Sequence, residues 1–332
     1  MKSSMLYFVE PYRVELRDRD LPQPAPGEIL VRSVVSAISA GTERLFYTGR
    51  QPRSMPLDAA IAGLSGSTEY PLSYGYALAG EIIAVGSETD RALIGRKAFA
   101  FHPHATHALM RLSDAIILDD DMDLLDAVFF PNMETAVNLV MDGAPLIGER
   151  VAIFGLGVVG LLTGAILAGF PLEGLYGLDP ASERRRTAAD NGLDACFADP
   201  RSAMAAIGEA GVDLVYELSG NPAALDDALS LCGFGSRLCV GSWYGTKTHP
   251  VSLGGDFHRN RIRLFSSQVS TLSPELTGRW TKERRARAAW KEIERLKPGR
   301  LVSHRIPFSR AAEAYALIDS DAAAVRQVVL EY

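Results

Sequence analysis

The hydrophobic positions in roughly the first 125 residues come in short runs that alternate with polar positions, and clusters of turn residues such as 22–27 separate the runs. Alternation with a period of two is typical of half-buried strands. We therefore predict that this part of the chain is mostly β. The candidate strands are Val9–Leu16, Glu28–Ser36, Ala79–Val85, Arg96–Phe101 and Ala115–Leu118.

From about residue 135 to 265 the pattern changes to strands that alternate with helices, which indicates a parallel sheet with crossover helices. The predicted strands are Arg150–Phe154, Leu175–Leu178, Val212–Glu217 and Ser236–Val240, and the predicted helices are one from Val158, Ser182–Asn191 and Ala223–Leu231. A second set follows: helix Lys282–Leu296, strand Val302–Ile306, helix Ser309–Asp319 and strand Gln327–Leu330.

These patterns predict an α/β protein in which a doubly wound parallel-sheet domain is inserted into a β-rich domain. A length of 332 residues fits two domains, since a typical domain has about 150 residues. The predicted boundaries place residues 1–134 and 268–332 in the β-rich domain and residues 135–267 in the parallel-sheet domain.

Residues 151–172 contain no charged side chain, and a stretch of that length could span a membrane, which takes about 20 residues. Glycines at 155, 157, 160, 164 and 169 favour a strand, a tight turn and a buried helix instead. The N-terminus has no continuous apolar core of a secretory signal. We therefore expect a cytoplasmic protein with no membrane insertion.

Composition excludes several classes of partner. Lysine and arginine total 34 against 40 acidic residues, a net charge of −6, so no overall positive field attracts nucleic acid. A small-molecule substrate is the expected partner. The three cysteines, Cys196, Cys232 and Cys239, are too few for a disulfide framework or a four-thiolate zinc site, and they indicate a reducing compartment.

The motif that points most directly to a ligand is Gly155-Leu156-Gly157-Val158-Val159-Gly160, a G-x-G-x-x-G spacing between an apolar strand and a helix. Gly155 permits a tight turn, Gly157 lets the backbone approach a pyrophosphate, and Gly160 lets the helix pack closely on the strand. The helix N-terminus, at Val158 and Val159, supplies free N–H donors to phosphate oxygens. The motif therefore predicts a dinucleotide-binding site.

Asp179 lies 19 residues beyond Gly160, at the end of the next predicted strand. A carboxylate there accepts hydrogen bonds from the adenosine ribose and repels a 2′-phosphate, which favours NAD over the alternative, NADP. Arg184, in the helix that follows, is a candidate for contacting a phosphate. The alternative, which we favour for the run Arg184 to Arg186, is an exposed helix face.

Several segments of the chain resemble the medium-chain dehydrogenase/reductase superfamily, of the zinc-type alcohol dehydrogenase kind. They are Ala40-Gly41-Thr42-Glu43, the stretch from Gly75 to Glu81, the glycine motif, Val215 to Pro222 and Gly235 to Gly241. The resemblance implies a GroES-like catalytic domain, a Rossmann domain with the cofactor between the two, and a homodimer. It also implies that Leu218, Ser219, Gly241 and Ser267 approach the nicotinamide; each is alternatively a simple turn residue.

The chain departs from that family where its zinc ligands would stand. Ala40 and the Tyr76-Ala77 step replace a cysteine and a His-Glu step, and Glu134 alone cannot hold a catalytic zinc, which takes three protein ligands. The resemblance instead implies that the Thr42 hydroxyl relays the alcohol proton, and Tyr76 offers a second donor. The structural alternatives are a helix N-cap for Thr42 and a core aromatic for Tyr76. Glu134 is a candidate acid or base, or the first-turn acid of a helix Glu134–Met141.

The only histidine cluster is His102, His104 and His107. In an extended strand His102 and His104 share a face and His107 points away, which makes a poor tetrahedral cage. We therefore predict surface or pocket histidines rather than a metal site.

The stretch Ser36 to Leu45 is similar to a zinc-lacking branch of the superfamily that includes bacteriochlorophyllide a dehydrogenases, which oxidise a secondary alcohol on a tetrapyrrole with NAD. We therefore predict a zinc-independent, NAD(H)-dependent oxidoreductase that interconverts a secondary alcohol and a ketone, with a large ring compound as one candidate substrate. The alternatives are an NAD(P)H-dependent quinone or enone reductase and a non-catalytic protein that senses NAD.

Overall fold

The computed structural model describes residues 1–52, 67–321 and 323–332. Over these residues the chain forms two compact units, Met1–Pro131 with Lys297–Tyr332, and Asn132–Leu296. The first unit is discontinuous in sequence, and the second is one continuous stretch. The helix Lys282–Leu296 belongs to the second unit, whereas the sequence-based boundary at 267/268 placed it in the other domain.

The first unit is built mainly of strands. Its strands are β1 (Lys2–Glu10), β2 (Arg13–Asp20), β3 (Glu28–Ala37), β4 (Leu78–Val85), β5 (Lys97–Ala100), β6 (His107–Arg111), β7 (Ala115–Ile117), β14 (Val302–Pro307) and β15 (Gln327–Glu331). Its helices are α1 (Glu43–Tyr47), α2 (Leu124–Ala127) and α10 (Ala311–Ser320). Seven strands form one sheet in the order β14-β15-β3-β4-β5-β7, with β6 also paired to β3.

The predicted single strand Val9–Leu16 is wrong, because the chain turns there. β1 and β2 form an antiparallel hairpin in which Leu6 faces Leu16 and Glu10 faces Arg13. Tyr12 adopts a φ of 66° in the turn, and its N–H donates to the carbonyl of Tyr47 at 2.6 Å. The apolar residues Tyr12, Val14 and Leu16 alternate with polar ones directly after Val9, so the segment was interpreted as one strand.

The core of the first unit lies between its strands and α10. Aromatic side chains fill it, and Phe8 makes an edge-on contact with Tyr315 at 5.1 Å between ring centroids. β14, α10 and β15 form the strand–helix–strand succession that the sequence pattern predicted, and the two strands pair in parallel. β15 then pairs antiparallel with β3, with Val329 opposite Ala37.

The second unit is a parallel sheet between helices. Its strands are β8 (Arg150–Phe154), β9 (Gly174–Leu178), β10 (Ala195–Phe197), β11 (Val212–Glu217), β12 (Cys232–Val240) and β13 (Arg263–Ser266). Its helices, with α3 starting in the last residues before the unit, are α3 (Phe130–Gly143), α4 (Val158–Leu167), α5 (Ser182–Asp190), α6 (Pro200–Ile207), α7 (Ala224–Leu231), α8 (Asp256–Arg259) and α9 (Lys282–Leu296). The predicted α/β fold class is confirmed.

The strand order of this sheet is β10-β9-β8-β11-β12-β13, and every neighbouring pair is parallel. The chain runs outward from β8 to β10 on one side and returns through β11 to β13 on the other. The order therefore reverses between β8 and β11. In sheets of this kind, ligands bind outside the carboxyl ends of the strands at the reversal.

Candidate functional site

The glycine motif forms the turn from β8 into α4. Gly155 has a φ of 90°, and a Cβ there would lie 2.5 Å from the backbone of Ser219. A Cβ on Gly160 would lie 2.0 Å from the carbonyl oxygen of Gly155. A Cβ on Gly157 would meet nothing within 4 Å, and within the described residues no side chain caps the N-terminus of α4. Gly155 and Gly160 thus allow close packing of the backbone. Gly157 leaves space for a phosphate group beside the backbone N–H groups at the start of α4.

Asp179 follows β9 at the same edge of the sheet. Its carboxylate accepts hydrogen bonds from the N–H groups of Leu156 and Ala181, both at 2.9 Å, and Nη1 of Arg184 lies 3.5 Å from Oδ2. Each carboxylate oxygen has two lone pairs, so capacity remains for ribose hydroxyls. The side chain is only 5% exposed, which fixes its orientation toward the glycine turn.

The three arginines of α5 do not form the exposed face that we favoured from the sequence. Arg184 lies beside Asp179, and Nη1 of Arg185 donates to the carbonyls of Asp179 and Pro180 at 2.7 and 2.8 Å. Only Arg186 is directed to the surface, where it pairs with Glu183. Two of the three guanidinium groups therefore support the loop that carries Asp179.

The loops after β11 and β12 are held by Glu217, a residue whose role the sequence analysis missed. Its side chain is fully buried and accepts from the N–H of Ser219 at 2.8 Å, from the Ser219 hydroxyl, and from the Tyr244 hydroxyl at 2.5 Å. Burial raises the pKa of Tyr244. The only hint in the sequence was an acidic residue at the end of a strand whose preceding three residues are apolar or aromatic.

The predicted residues Leu218 and Gly241 lie on these two loops. The N–H of Leu218 donates to Phe154 O at 2.7 Å, and the N–H of Gly241 donates to Glu217 O at 3.0 Å. A Cβ on Gly241 would lie 2.6 Å from side-chain atoms of Leu139 and Leu218. Both residues therefore continue the hydrogen bonding of the sheet past its strand ends.

Ser267 is the first residue after β13. Its hydroxyl donates to Oδ2 of Asp142 at 2.7 Å and accepts from Nδ2 of Asn138 at 3.0 Å. Burial raises the pKa of Asp142.

All the predicted cofactor-binding residues lie at the carboxyl edge of one parallel sheet or at the start of the helix that follows. They are Gly155, Gly157, Val158, Val159, Gly160, Asp179, Arg184, Leu218, Ser219, Gly241 and Ser267.

Glu134 is engaged in an ion pair. α3 begins at Phe130, four residues before the predicted start, so Glu134 is not in the first turn. Its Oε1 accepts from Nη2 and Nε of Arg285 at 3.1 and 3.3 Å. The expectation of a first-turn acid is therefore wrong, and the lone pairs of Oε1 are directed at a buried guanidinium.

A group of three hydroxyls lies in the first unit, and we call it the hydroxyl cluster: Ser39, Thr42 and Tyr76. The Tyr76 hydroxyl donates to Ser39 Oγ at 2.5 Å and lies 3.4 Å from Thr42 Oγ1. All three residues are half-buried. Thr42 occupies the N-cap position of α1, but its side chain makes no capping hydrogen bond. Ser39 was not singled out in the sequence, where nothing distinguishes it from other serines.

Below the hydroxyl cluster lies a buried polar network around Glu43. Its carboxylate accepts from the Ser39 N–H at 2.8 Å, from the Tyr315 hydroxyl at 2.5 Å and from Nε2 of His104 at 3.0 Å. Nδ1 of His104 lies 2.7 Å from the hydroxyl of Ser36. The network fixes the backbone of Ser39 from the protein interior.

The predicted surface or pocket setting of the histidines is wrong for His104, which is fully buried in this network. His102 bonds the carbonyl of Pro103 at 2.7 Å, and burial lowers its pKa to about 4. His107 bonds the Thr106 hydroxyl at 3.2 Å, and burial also lowers its pKa. The three rings therefore have separate partners, because residues 101–106 do not form a regular strand.

The residues at the family's zinc positions do not fit a catalytic zinc ion. The Ala40 side chain has no atom that could coordinate a metal ion, and the Tyr76 hydroxyl donates a hydrogen bond to Ser39. Among the residues that the structure describes, no group of three or more His, Cys, Asp or Glu side chains could hold a metal ion. Cys232 and Cys239 are buried in the second unit, and burial raises the pKa of Cys232 to about 12.

Comparison with known proteins finds dehydrogenases that this chain resembles. The family described as "Zinc-binding dehydrogenase" matches residues 158–283. The 2-desacetyl-2-hydroxyethyl bacteriochlorophyllide A dehydrogenase of Cereibacter sphaeroides is 25% identical, over 99% of this chain and 98% of its own. These similarities support the resemblance of this chain to the medium-chain dehydrogenase/reductase superfamily.

Solved structures of other dehydrogenases share the fold over the full chain. RspB of Escherichia coli CFT073, described as a short chain alcohol dehydrogenase and complexed with NADH, has a TM-score of 0.77 at 18% identity and covers 100% of this chain and 99% of its own. Galactitol-1-phosphate dehydrogenase of Escherichia coli has a TM-score of 0.75 at 18% identity, with coverages of 99% and 100%. The curated relatives are named dehydrogenases, which supports an oxidoreductase of the alcohol dehydrogenase type.

Two further expectations from the sequence concern membrane insertion and the oligomeric state. None of the helices in the described part of the chain is long and apolar enough to cross a membrane. The homodimer stays a prediction, which light scattering of the purified protein would check.

Proposed function

We propose that the protein interconverts a secondary alcohol and a ketone with NAD(H), without zinc, and that the hydroxyl cluster handles the proton. The observation that carries the proposal is the 2.5 Å hydrogen bond from Tyr76 to Ser39, beside Thr42, where the family's metal ligands are missing. A carbonyl without a metal ion needs hydrogen-bond donors to stabilise its developing negative charge. Hydroxyl groups both donate and accept, so the cluster meets that need.

The residues of the second unit fit a nicotinamide dinucleotide. Gly157 leaves open space beside the uncapped amides of α4, and Asp179 is held in place at the neighbouring strand end. The Asp179 carboxylate disfavours a 2′-phosphate, which supports NAD over NADP. When bound, the nicotinamide ring supplies a hydride acceptor for the alcohol.

The chain's own residues then move the proton. In the oxidation direction Thr42 Oγ1 accepts the proton of the substrate hydroxyl while its own proton passes to solvent water, and in the reduction direction the same relay runs in reverse and delivers a proton to the carbonyl oxygen. With substrate bound, the Tyr76 hydroxyl turns its single proton from Ser39 Oγ to the substrate oxygen, and the Ser39 hydroxyl can then donate to Tyr76. We propose Thr42 and Tyr76 as catalytic residues. Glu134, whose carboxylate is bound to Arg285, is proposed in a positioning role instead of an acid–base role.

The substrate class is the open part of this proposal. A bacteriochlorophyllide dehydrogenase is a relative at 25% identity over nearly the full chain, which supports testing a secondary alcohol on a large ring compound. Smaller secondary alcohols belong in the same test, because fold alone does not determine the substrate.

The test is a panel assay on the purified protein. Secondary alcohols with NAD⁺, and ketones, quinones and enones with NADH or NADPH, are followed through the cofactor absorbance. Turnover of an alcohol–ketone pair supports the proposal. Turnover of quinones or enones alone would show a reductase, and NADH binding without any turnover would show a sensor. Elemental analysis and dialysis against a chelator complete the test, since activity that depends on zinc contradicts the metal-free mechanism.

A further inference from the structure

Arg285 is the most completely buried cation described in the second unit, and the proposed chemistry does not use it. Its side chain is 2% exposed although it lies in α9, whose mostly charged residues face solvent. Burial of a charge is costly unless hydrogen bonds and an opposite charge compensate it. The partners of Arg285 therefore indicate what it holds in place.

All five N–H donors of the guanidinium are occupied. Nε and Nη2 donate to Glu134, and Nη1 donates to Oδ1 of Asn138 at 2.6 Å. The other two bonds go to backbone carbonyls, from Nη2 to Val269 at 2.7 Å and from Nη1 to Thr271 at 3.3 Å. A lysine offers three donors from a single point and cannot reproduce this fork.

The two carbonyls belong to the segment directly after β13. The same segment begins with Ser267, whose hydroxyl is bonded to Asn138 and Asp142. Asn138 thus accepts from Arg285 through Oδ1 and donates to Ser267 through Nδ2, so the guanidinium fixes which way its amide is turned. Arg285 acts on both ends of the segment 267–271, directly at 269 and 271 and through Asn138 at 267.

The place of this segment in the sheet gives it a function. β13 is the last strand on the β11 side of the reversal, and a dinucleotide lies across the reversal with one half over each set of strands. Asp179 lies on the β9 side, where the adenosine half binds. The segment 267–271 therefore lies on the nicotinamide side.

We propose that Arg285, with Glu134 as its counter-ion, is a positioning residue that shapes the nicotinamide half of the cofactor site. This inference rests on the proposed function. It predicts a selective effect, in which contacts to the nicotinamide half are lost and contacts to the adenosine half are retained. A role in folding alone would weaken both halves together.

The test compares two ligands on the full-length protein. Dissociation constants for NADH and for ADP-ribose, which lacks the nicotinamide, are measured by fluorescence and calorimetry for wild type, Arg285→Lys and Glu134→Gln. The control is Arg284→Lys, because Arg284 is an exposed neighbour whose guanidinium stacks on Trp280 at 4.1 Å. We expect Arg285→Lys to weaken NADH binding about ten-fold and to leave ADP-ribose binding unchanged. Glu134→Gln should show a smaller change of the same kind.

The possible results separate this inference from the function on which it rests. Equal losses for both ligands, or no loss in either variant, would overturn the positioning role while NADH binding by the wild type upholds the cofactor site. Failure of the wild type to bind NADH would overturn both. Melting temperatures are recorded for every variant, and if Arg285→Lys does not fold, the ligand comparison in Glu134→Gln decides.

Discussion

The hydroxyl of Tyr76 lies 2.5 Å from Oγ of Ser39, and the same hydroxyl lies 3.4 Å from Oγ1 of Thr42. The backbone N–H of Ser39 is in turn held by the buried carboxylate of Glu43 at 2.8 Å. Ser39 thus links the hydroxyl of Tyr76, at the position of a metal ligand in the family that the chain resembles, to the buried carboxylate of Glu43. This relationship leads to the first two predictions.

Tyr76→Phe removes one donor and leaves the ring in place. We expect kcat to fall about 100-fold with the best substrate of the panel, because a lost transition-state donor costs about 3 kcal/mol. The NADH dissociation constant should not change. Steady-state kinetics measure the effect, and Tyr12→Phe, at an exposed tyrosine in the first hairpin, is the control. Full activity of Tyr76→Phe would remove Tyr76 from the mechanism.

Thr42→Val keeps the shape of the side chain and removes the hydroxyl. We expect a loss in kcat of about 100-fold, in the range of general acid–base effects, and retention of most activity in Thr42→Ser. Thr48→Val is a matched control, because the Thr48 hydroxyl only bonds the carbonyl of Arg44 at the end of the same helix. If Thr42→Val and Thr48→Val behave alike in the assay, Thr42 has no catalytic role.

Asp179→Asn removes the charge that disfavours a 2′-phosphate. We expect the dissociation constant for NADH to rise about ten-fold, because charge-assisted hydrogen bonds to the ribose are lost, and that for NADPH to fall. Glu183→Gln removes a charge from the same loop and helix without touching Asp179, and it should leave both constants unchanged. An unaltered preference in Asp179→Asn would mean that another group selects the cofactor.

The glycine turn allows a comparison between two nearby alanine variants. A Cβ on Gly160 meets the Gly155 carbonyl at 2.0 Å, so Gly160→Ala should lower the free energy of unfolding by about 1–3 kcal/mol. Gly157→Ala projects into open space and should change stability by less than about 0.5 kcal/mol. It should nevertheless weaken NADH binding, since the methyl group occupies the approach of the pyrophosphate. Denaturant unfolding and NADH titration of both variants test this contrast.

His102 predicts a pH dependence of stability. Burial lowers its pKa from 6.5 to about 4 in the folded protein. The unfolded chain therefore binds more protons between these values, so the contribution of His102 to stability is complete above pH 6.5 and is lost as the pH falls toward 4. We expect the free energy of unfolding of wild type to fall more steeply in that window than that of His102→Asn. Parallel curves for the two proteins would exclude this contribution.

The parts of the fold that the sequence predicted well are those with a local pattern. β8, the glycine turn and the start of α4 lie within about ten consecutive residues, and each glycine has a direct steric reason. The hairpin at Tyr12 was missed because the alternating residues Tyr12, Val14 and Leu16 follow closely on Val9 and were assigned to one strand with it. α6 was missed as well, although Asp199 followed by Pro200 is a typical helix start, and Asp199 does accept from the N–H of Ser202.

The parts of the site that could not be predicted depend on residues far apart in the chain. His104 and Glu43 are separated by 61 positions, and Arg285 and Glu134 by 151. The two members of each pair are brought together only by the packing of the sheet and helices. No short-range sequence pattern therefore connects them. Glu134 was noticed as an acid near the predicted domain junction, but its partner could be found only once α9 was placed against α3.

The discontinuity of the first unit has a consequence for the order in which the protein is made. Its seven-stranded sheet needs β15, which pairs with β3 across nearly 300 residues of intervening chain, whereas the second unit is encoded by one continuous stretch. On a ribosome, the second unit can complete its sheet while β3 is paired with β4 and β6 but still lacks β15. The hydroxyl cluster, which is encoded early, therefore acquires the Tyr315 support of its Glu43 network among the last contacts to form during synthesis.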